Sequence, residues 1–188
     1  MALRNILRDT DKTLLKKSRV ITDFNKRLHV LLDDMRETLA QANGLGLAAP
    51  QVGVLRRAVL VVDINDIDQD SQTLEEKVVE LINPRILARS GTQSGSEGCL
   101  SLPGVYGLVT RPDLVKVAAQ DRYGKPFEIW GKGLTARALC HEIDHLDGII
   151  FTTLAERLLT EEEVDAMNAA DDEEYEEDSG EGGDLIRE

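Results

Sequence analysis

Cysteine is scarce in this chain, with two residues in 188, Cys99 and Cys140. So few thiols exclude a disulfide framework and make a reducing, cytoplasmic location the expectation. Long apolar runs are missing. The strongest, Ala58 to Val62, is far too short to span a bilayer. The opening stretch MALRNILRDT interrupts its apolar residues with Arg4, Arg8 and Asp9, so a secretory signal is not expected. No internal repeat is apparent, and no Gly-Lys-Ser/Thr exists to make a phosphate-binding loop. A surplus of positive charge is absent too, since the net charge is −13. That figure belongs to one end. From Glu161 to Glu188 there are fourteen acids against one arginine, and the remainder balances at 21 of each sign.

The chain therefore divides into two regions. Residues 1–160 read as one domain, because this length with 41% hydrophobic and 30% charged residues can bury a real core. Residues 161–188 read as an acidic tail, largely disordered at its end, with a short helix from about Thr160 to Ala170 opened by a Thr160/Glu163 capping box. The tail repels phosphates, which argues against DNA as a partner. It reads as a solvating extension or, more sharply, as a segment that binds a basic partner.

Leu28, Leu31, Leu32, Met35 and Leu39 recur at helical spacing, with Asp23 or Asn25 as start signals and Asn43-Gly44 as the stop. Strand signals come next at Arg56 to Ile64 and at Val78 to Pro84, separated by a polar loop, NDIDQDSQTLEEK. ARSGTQSGSEG reads as loop with weak strand character. LVKVAAQD and PFEIWG flank RYGK as a hairpin. The pattern turns helical from Leu134 to Asp147 and stops at Gly148. Helix, a run of strands, then helix argues an α+β fold.

The second helix carries HEIDH. His141 and His145 at i and i+4 share one face, about 6 Å apart along the axis, a spacing that suits one small divalent cation. Glu142 lies about 100° round, at the rim of that face. Leu139, Ile143 and Leu146 form an apolar back, so the helix is expected to be buried on one side only. The third ligand is less direct. The longer metzincin pattern would need histidine where Phe151 stands. His29 lies on the distant amphipathic helix, and nothing in the sequence positions Glu156 or a tail acid. Cys140 points away from both histidines on the helical wheel and reads as a small buried hydrophobe. Cys99, beside Gly98 and off the helix, could complete a His₂Cys set with one open position; a Cys99–Cys140 disulfide competes with that reading. GLGLAAPQVG, from Gly44 to Gly53, contains Gly-x-Gly-x-x-Ala, but a helix precedes it and Pro50 interrupts the helix that should come after. It is therefore no dinucleotide fingerprint. It reads as a tight connector that can lie near a ligand, with Gln51 as a polar donor.

GLGLAAPQVG, EGCLSLP and HEIDHLDG, in this order, resemble the three signature motifs of the peptide deformylases across roughly Leu3 to Leu158. The resemblance implies antiparallel or mixed sheets packed around a central His-Glu-x-x-His helix, with an amphipathic helix N-terminal to it. It implies a hydrolase that removes formyl from the N-terminal formylmethionine of new polypeptides and releases formate. Cys99, His141 and His145 would then hold Fe(II), with Zn, Ni or Co able to substitute. Glu142 would be the general base and acid. Gln51 and the Leu100 backbone N–H would bind the oxyanion. Leu45, Gly46 and Gly98 would align the peptide. Nascent formylmethionyl chains, with transient ribosome contact, would be the partners, and DNA and membranes would not. Where some members carry an arginine after the cysteine motif, Tyr106 and Gly107 stand here; where some end in a basic helix, this chain ends in acids. The motif HExxH alone is also compatible with a metallopeptidase that cuts internal bonds.

Overall fold

The computed structural model describes residues 2–64, 77–167 and 169. The polar loop expected at 65–77, apart from its last residue, and most of the acidic tail lie outside the described residues.

Helix α1 spans Lys26–Ala42. Asn25 opens it, its side chain accepting from the backbone N–H groups of Arg27 and Leu28, and Asn43 closes it in the left-handed region at φ 50°. The leucine and methionine stripe is its buried face. Three-residue strand β1 (Gly46–Ala48) comes next, then a 3₁₀ turn over Ala49–Val52 and strand β2 (Ala58–Val62). Every residue of β2 is buried, because helices cover both faces of it. Leu60 and Ala58 pack toward α1, while Val59 and Val61 pack toward the second helix.

Strand β3 (Val78–Ser90) is longer than the sequence suggests. Pro84 reads as a terminator, yet the strand resumes after a register shift between Ile82 and Arg85. Asn83 makes this possible by taking φ 53°. Its side chain accepts from the Ile21 N–H and donates to the Ile21 carbonyl and to Gln120. The expected loop ARSGTQSGSEG is therefore the end of β3, a turn, and most of β4 (Gln93–Cys99). Strands β5 (Leu102–Arg111), β6 (Leu114–Gln120) and β7 (Pro126–Lys132) come next, with β6 and β7 forming the hairpin around RYGK. Helix α2 (Gly133–Leu146) precedes strand β8 (Arg157–Leu159).

The fold is α+β, and its strands pair antiparallel in two sheets, β1-β2-β3-β6-β7 and β4-β5-β8. Helix α2 lies against the first sheet and is roofed by the second. Its burial corrects one expectation. Arg137, His141, Glu142 and His145 are as buried as Leu139 and Leu146, because β4 and β5 cover the polar face. A helical turn over 161–167 carries the expected capping box. The Glu163 side chain accepts from the Thr160 N–H at 2.9 Å, and the Thr160 hydroxyl accepts from the Glu163 N–H at 3.3 Å. No helix among the described residues is long and apolar enough to cross a membrane.

Candidate active site

Three elements converge on one groove of about 680 Å³. Strand β4 ends at Cys99, where the ladder with β5 shifts register between Gly98 and Cys99 and turns the thiol inward. Helix α2 supplies His141 and His145, whose ring centroids are 4.9 Å apart. The Cys99 sulfur lies 3.2 Å from His145 Nε2. One donor atom from each of Cys99, His141 and His145 falls within 4.8 Å of the others. A thiolate and two imidazoles at that spacing fit one small divalent cation. Both cysteines are free, which removes the disulfide alternative, and Cys140 is buried in the core on the far side of α2. Burial pushes its thiol up to about 11, so it stays an inert SH. His29 is remote from the cluster and bonds the Arg122 carbonyl.

Glu142 is buried beside this cluster, and its Oε2 has no hydrogen-bond partner. Burial pushes its carboxyl up to about 7, with the neighbouring His141 pulling the other way. The backbone of β1 comes so close that a Cβ on Gly46 would sit 2.5 Å from Glu142 Oε1. Only glycine allows that approach. Gln51 is held by its own chain. Its Oε1 accepts from the Ala48 N–H, which aims its Nε2 at Cys99 and at Ser101, 3.4 and 3.3 Å away. Leu45, Gly46, Gly98 and Leu100 line the same groove.

Behind the histidines lies a charged network that sequence reasoning missed. Glu97 accepts from His141 Nδ1 at 3.0 Å, from Arg111 through two nitrogens at 2.8 and 3.0 Å, and from Arg137 at 3.0 Å. Arg111 also reaches Asp144 at 2.6 Å. Burial would raise the Glu97 carboxyl, but hydrogen bonds from His141 and Arg111 outweigh it and hold it down at about 2. His141 is thereby oriented with its other nitrogen free to face the cluster. Burial depresses His145 to about 3, leaving it a neutral imidazole. Part of this network had a signal: Arg137 is one helical turn before His141 and Asp144 one turn after it, on the same face of the helix. Glu97 and Arg111 offered no comparable pattern, since the ladder shifts register just before Cys99.

A partnerless carboxyl next to a three-donor cluster, in a groove bounded by strand edges, is compatible with a metal-assisted hydrolase. Known proteins narrow the class. A family model described as polypeptide deformylase matches residues 3–160. A peptide deformylase of Caldicellulosiruptor bescii is 50% identical over 172 residues, covering 92% of this chain and 97% of that protein. One from Alkaliphilus metalliredigens is 54% identical over 152 residues, covering 81% and 96%. The crystal structure of a peptide deformylase from Legionella pneumophila superposes with a TM-score of 0.73 at 37% identity, covering 96% of this chain and 99% of that one. The chain belongs to the peptide deformylase family and is a hydrolase that deformylates N-formylmethionine peptides.

Proposed function

We propose that the groove takes the formylated start of a nascent polypeptide as an added strand and that Glu142 carries the protons of its hydrolysis. Strand β1 is one edge of the five-stranded sheet and β4 one edge of the three-stranded sheet. Both edges line the groove, so backbone of Leu45, Gly46 and Gly98 can pair with an extended peptide whatever its side chains. Cys99, His141 and His145 would hold the metal, Fe(II) by family resemblance, with Zn, Ni or Co able to substitute. When bound, such an ion supplies a Lewis acid that polarises the formyl carbonyl and acidifies a water.

The chain's own groups do the rest. A carboxyl near 7 can accept the proton of the attacking water and return it to the leaving amine, which departs as formate is released. Gln51 Nε2 and the Leu100 N–H would stabilise the oxyanion, and losing one such donor costs about 10²–10³ in rate. We read residues 1–160 as the catalytic domain and 161–188 as an appended acidic segment; the family match ending at 160 supports this. Substrates on ribosomes, with transient ribosome contact and no role for DNA, go with a cytoplasmic enzyme whose thiols stay reduced.

One observation carries the reading: an unpartnered buried carboxyl beside the Cys99, His141 and His145 donors. The test is formate release from a formyl-Met peptide by anaerobically purified protein, with metal content measured on the same sample. Metal-loaded protein that releases formate supports the proposal. Metal-loaded protein that leaves the formyl group intact, or that cuts internal peptide bonds instead, sinks it.

A further inference from the structure

The outer side of the five-stranded sheet, away from the groove, is basic in a way its surroundings do not explain. Helix α1 covers only β1, β2 and the start of β3 on that side. Beyond it, a depression of about 540 Å³ opens between Val20, Arg57, Arg85, Gln120 and Glu128. Arg57 and Arg85 line it, and backbone pairing brings Arg19 and Arg56 up beside Arg57. Arg19 bridges Arg56, the Arg57 N–H donates to the Arg19 carbonyl, and the Asn83 N–H donates to the Arg57 carbonyl. Arg85 stands two residues on and pairs with Ala118, which pairs with Glu128. Two acids beside these arginines are engaged, Asp147 by Arg57 at 2.9 Å and Glu128 by Lys116 at 2.6 Å. Arg19, Arg56 and Arg85 are exposed or nearly so and make no ion pair among the described residues. Alongside, Trp130 stands 53% exposed opposite Lys116, whose ammonium lies 5.6 Å from the ring.

We propose that the acidic segment 171–188 of this same chain docks on the strip of Arg19, Arg56 and Arg85 and shields it from other polyanions. Charge complementarity is the first argument. Residues 1–160 carry as many bases as acids, and the whole surplus of −13 lies in 161–188. Reach is the second. The chain from 168 to 188 can extend roughly 70 Å at about 3.3 Å per residue, several times the radius of a domain this size. A tethered segment acts at an effective concentration in the millimolar range, so it outcompetes a free polyanion of similar charge. Single exposed pairs are weak, and the contact is correspondingly a diffuse, salt-sensitive one. The inference is independent of the catalytic assignment.

The full chain supplies the test, because Trp130 is its only tryptophan and reports this face. In one variant Asp171, Asp172, Glu173, Glu174, Glu176, Glu177 and Asp178 are replaced by their amides; in another, Arg56→Glu and Arg85→Glu are combined. Low-salt iodide quenching of Trp130 should rise about twofold in the tail variant, as the local negative charge is removed. Carbodiimide should cross-link tail acids of the parent mainly to Lys116, two residues along β6 from the partner of Arg85, and the arginine reversals should abolish those links. A fluorescent 20-nucleotide single-stranded RNA should bind the tail variant at least about tenfold more tightly than the parent. Deformylase activity should be the same in all three proteins, showing that they are folded. Unchanged quenching, cross-links spread over lysines elsewhere, or equal RNA affinity with and without the tail charges would each overturn the proposal.

Discussion

The two helices bury themselves in opposite ways. Helix α1 presents Leu28, Leu31, Leu32, Met35 and Leu39 to the core and leaves a polar side in water. Helix α2 is buried on both its apolar and its polar side from Thr135 on, Asp144 apart, and Arg137, His141, Glu142 and His145 are enclosed with it. The first arrangement is held by apolar area and tolerates volume-conserving change. The second exists only because each buried charge meets another, Glu97 with Arg111, Arg137 and His141, and Arg111 with Asp144. Glu142 is the exception, and it is the group to which the chemistry is assigned. Both helices thus carry stability, while the proposed reactivity is confined to α2.

That contrast can be broken or sharpened experimentally. The largest effect is expected at the exception. Glu142→Gln should keep fold and metal yet lose about 10²–10⁴ in kcat/KM; a variant within tenfold of the parent, by formate assay with metal analysis, would remove Glu142 from the mechanism. Arg111→Met leaves Glu97 buried without its main partner, and should cost about 3–5 kcal/mol by urea unfolding. Leu32→Ala in the apolar region should cost about 2–5 kcal/mol, depending on how far the site collapses, with activity per folded molecule unchanged. Should Leu32→Ala change activity instead, reactivity is not confined to α2. The acid limb separates the regions further. The Glu97 carboxyl is lowered from its ordinary 4.5 to about 2 in the fold, so its contribution is complete above pH 4.5 and is lost as pH falls toward 2. Urea midpoints between pH 2.5 and 6 should therefore fall more gently in Glu97→Gln than in the parent. The smallest effect belongs to the exposed Arg157–Glu163 pair at 2.7 Å, where Arg157→Ala should leave the urea midpoint unmoved.

Legibility divided along the same line. The stripe of α1 and its Asn25 and Asn43 ends could be read directly, because an amphipathic helix writes its buried face into the spacing of its leucines. The β6–β7 hairpin was equally plain. The course of β3 past Pro84 was not, since it depends on Asn83 finding Ile21 and Gln120 across the fold. At the site, the histidine pair was visible through helical spacing, and Cys99 through exclusion of the alternatives. The Glu97 network was largely hidden. Pairing between Glu97 and Arg111 is set by the register of β4 against β5, and no local pattern announces that a buried carboxylate will be neutralised from another strand.

Strand β1 is only three residues long. At about 3.3 Å per residue it offers roughly 10 Å of open backbone. An edge that short cannot template aggregation, which is the usual hazard of an unpaired strand. Under the proposed peptide pairing it would also work as a ruler: β1 would grip a chain laid along it for about three residues.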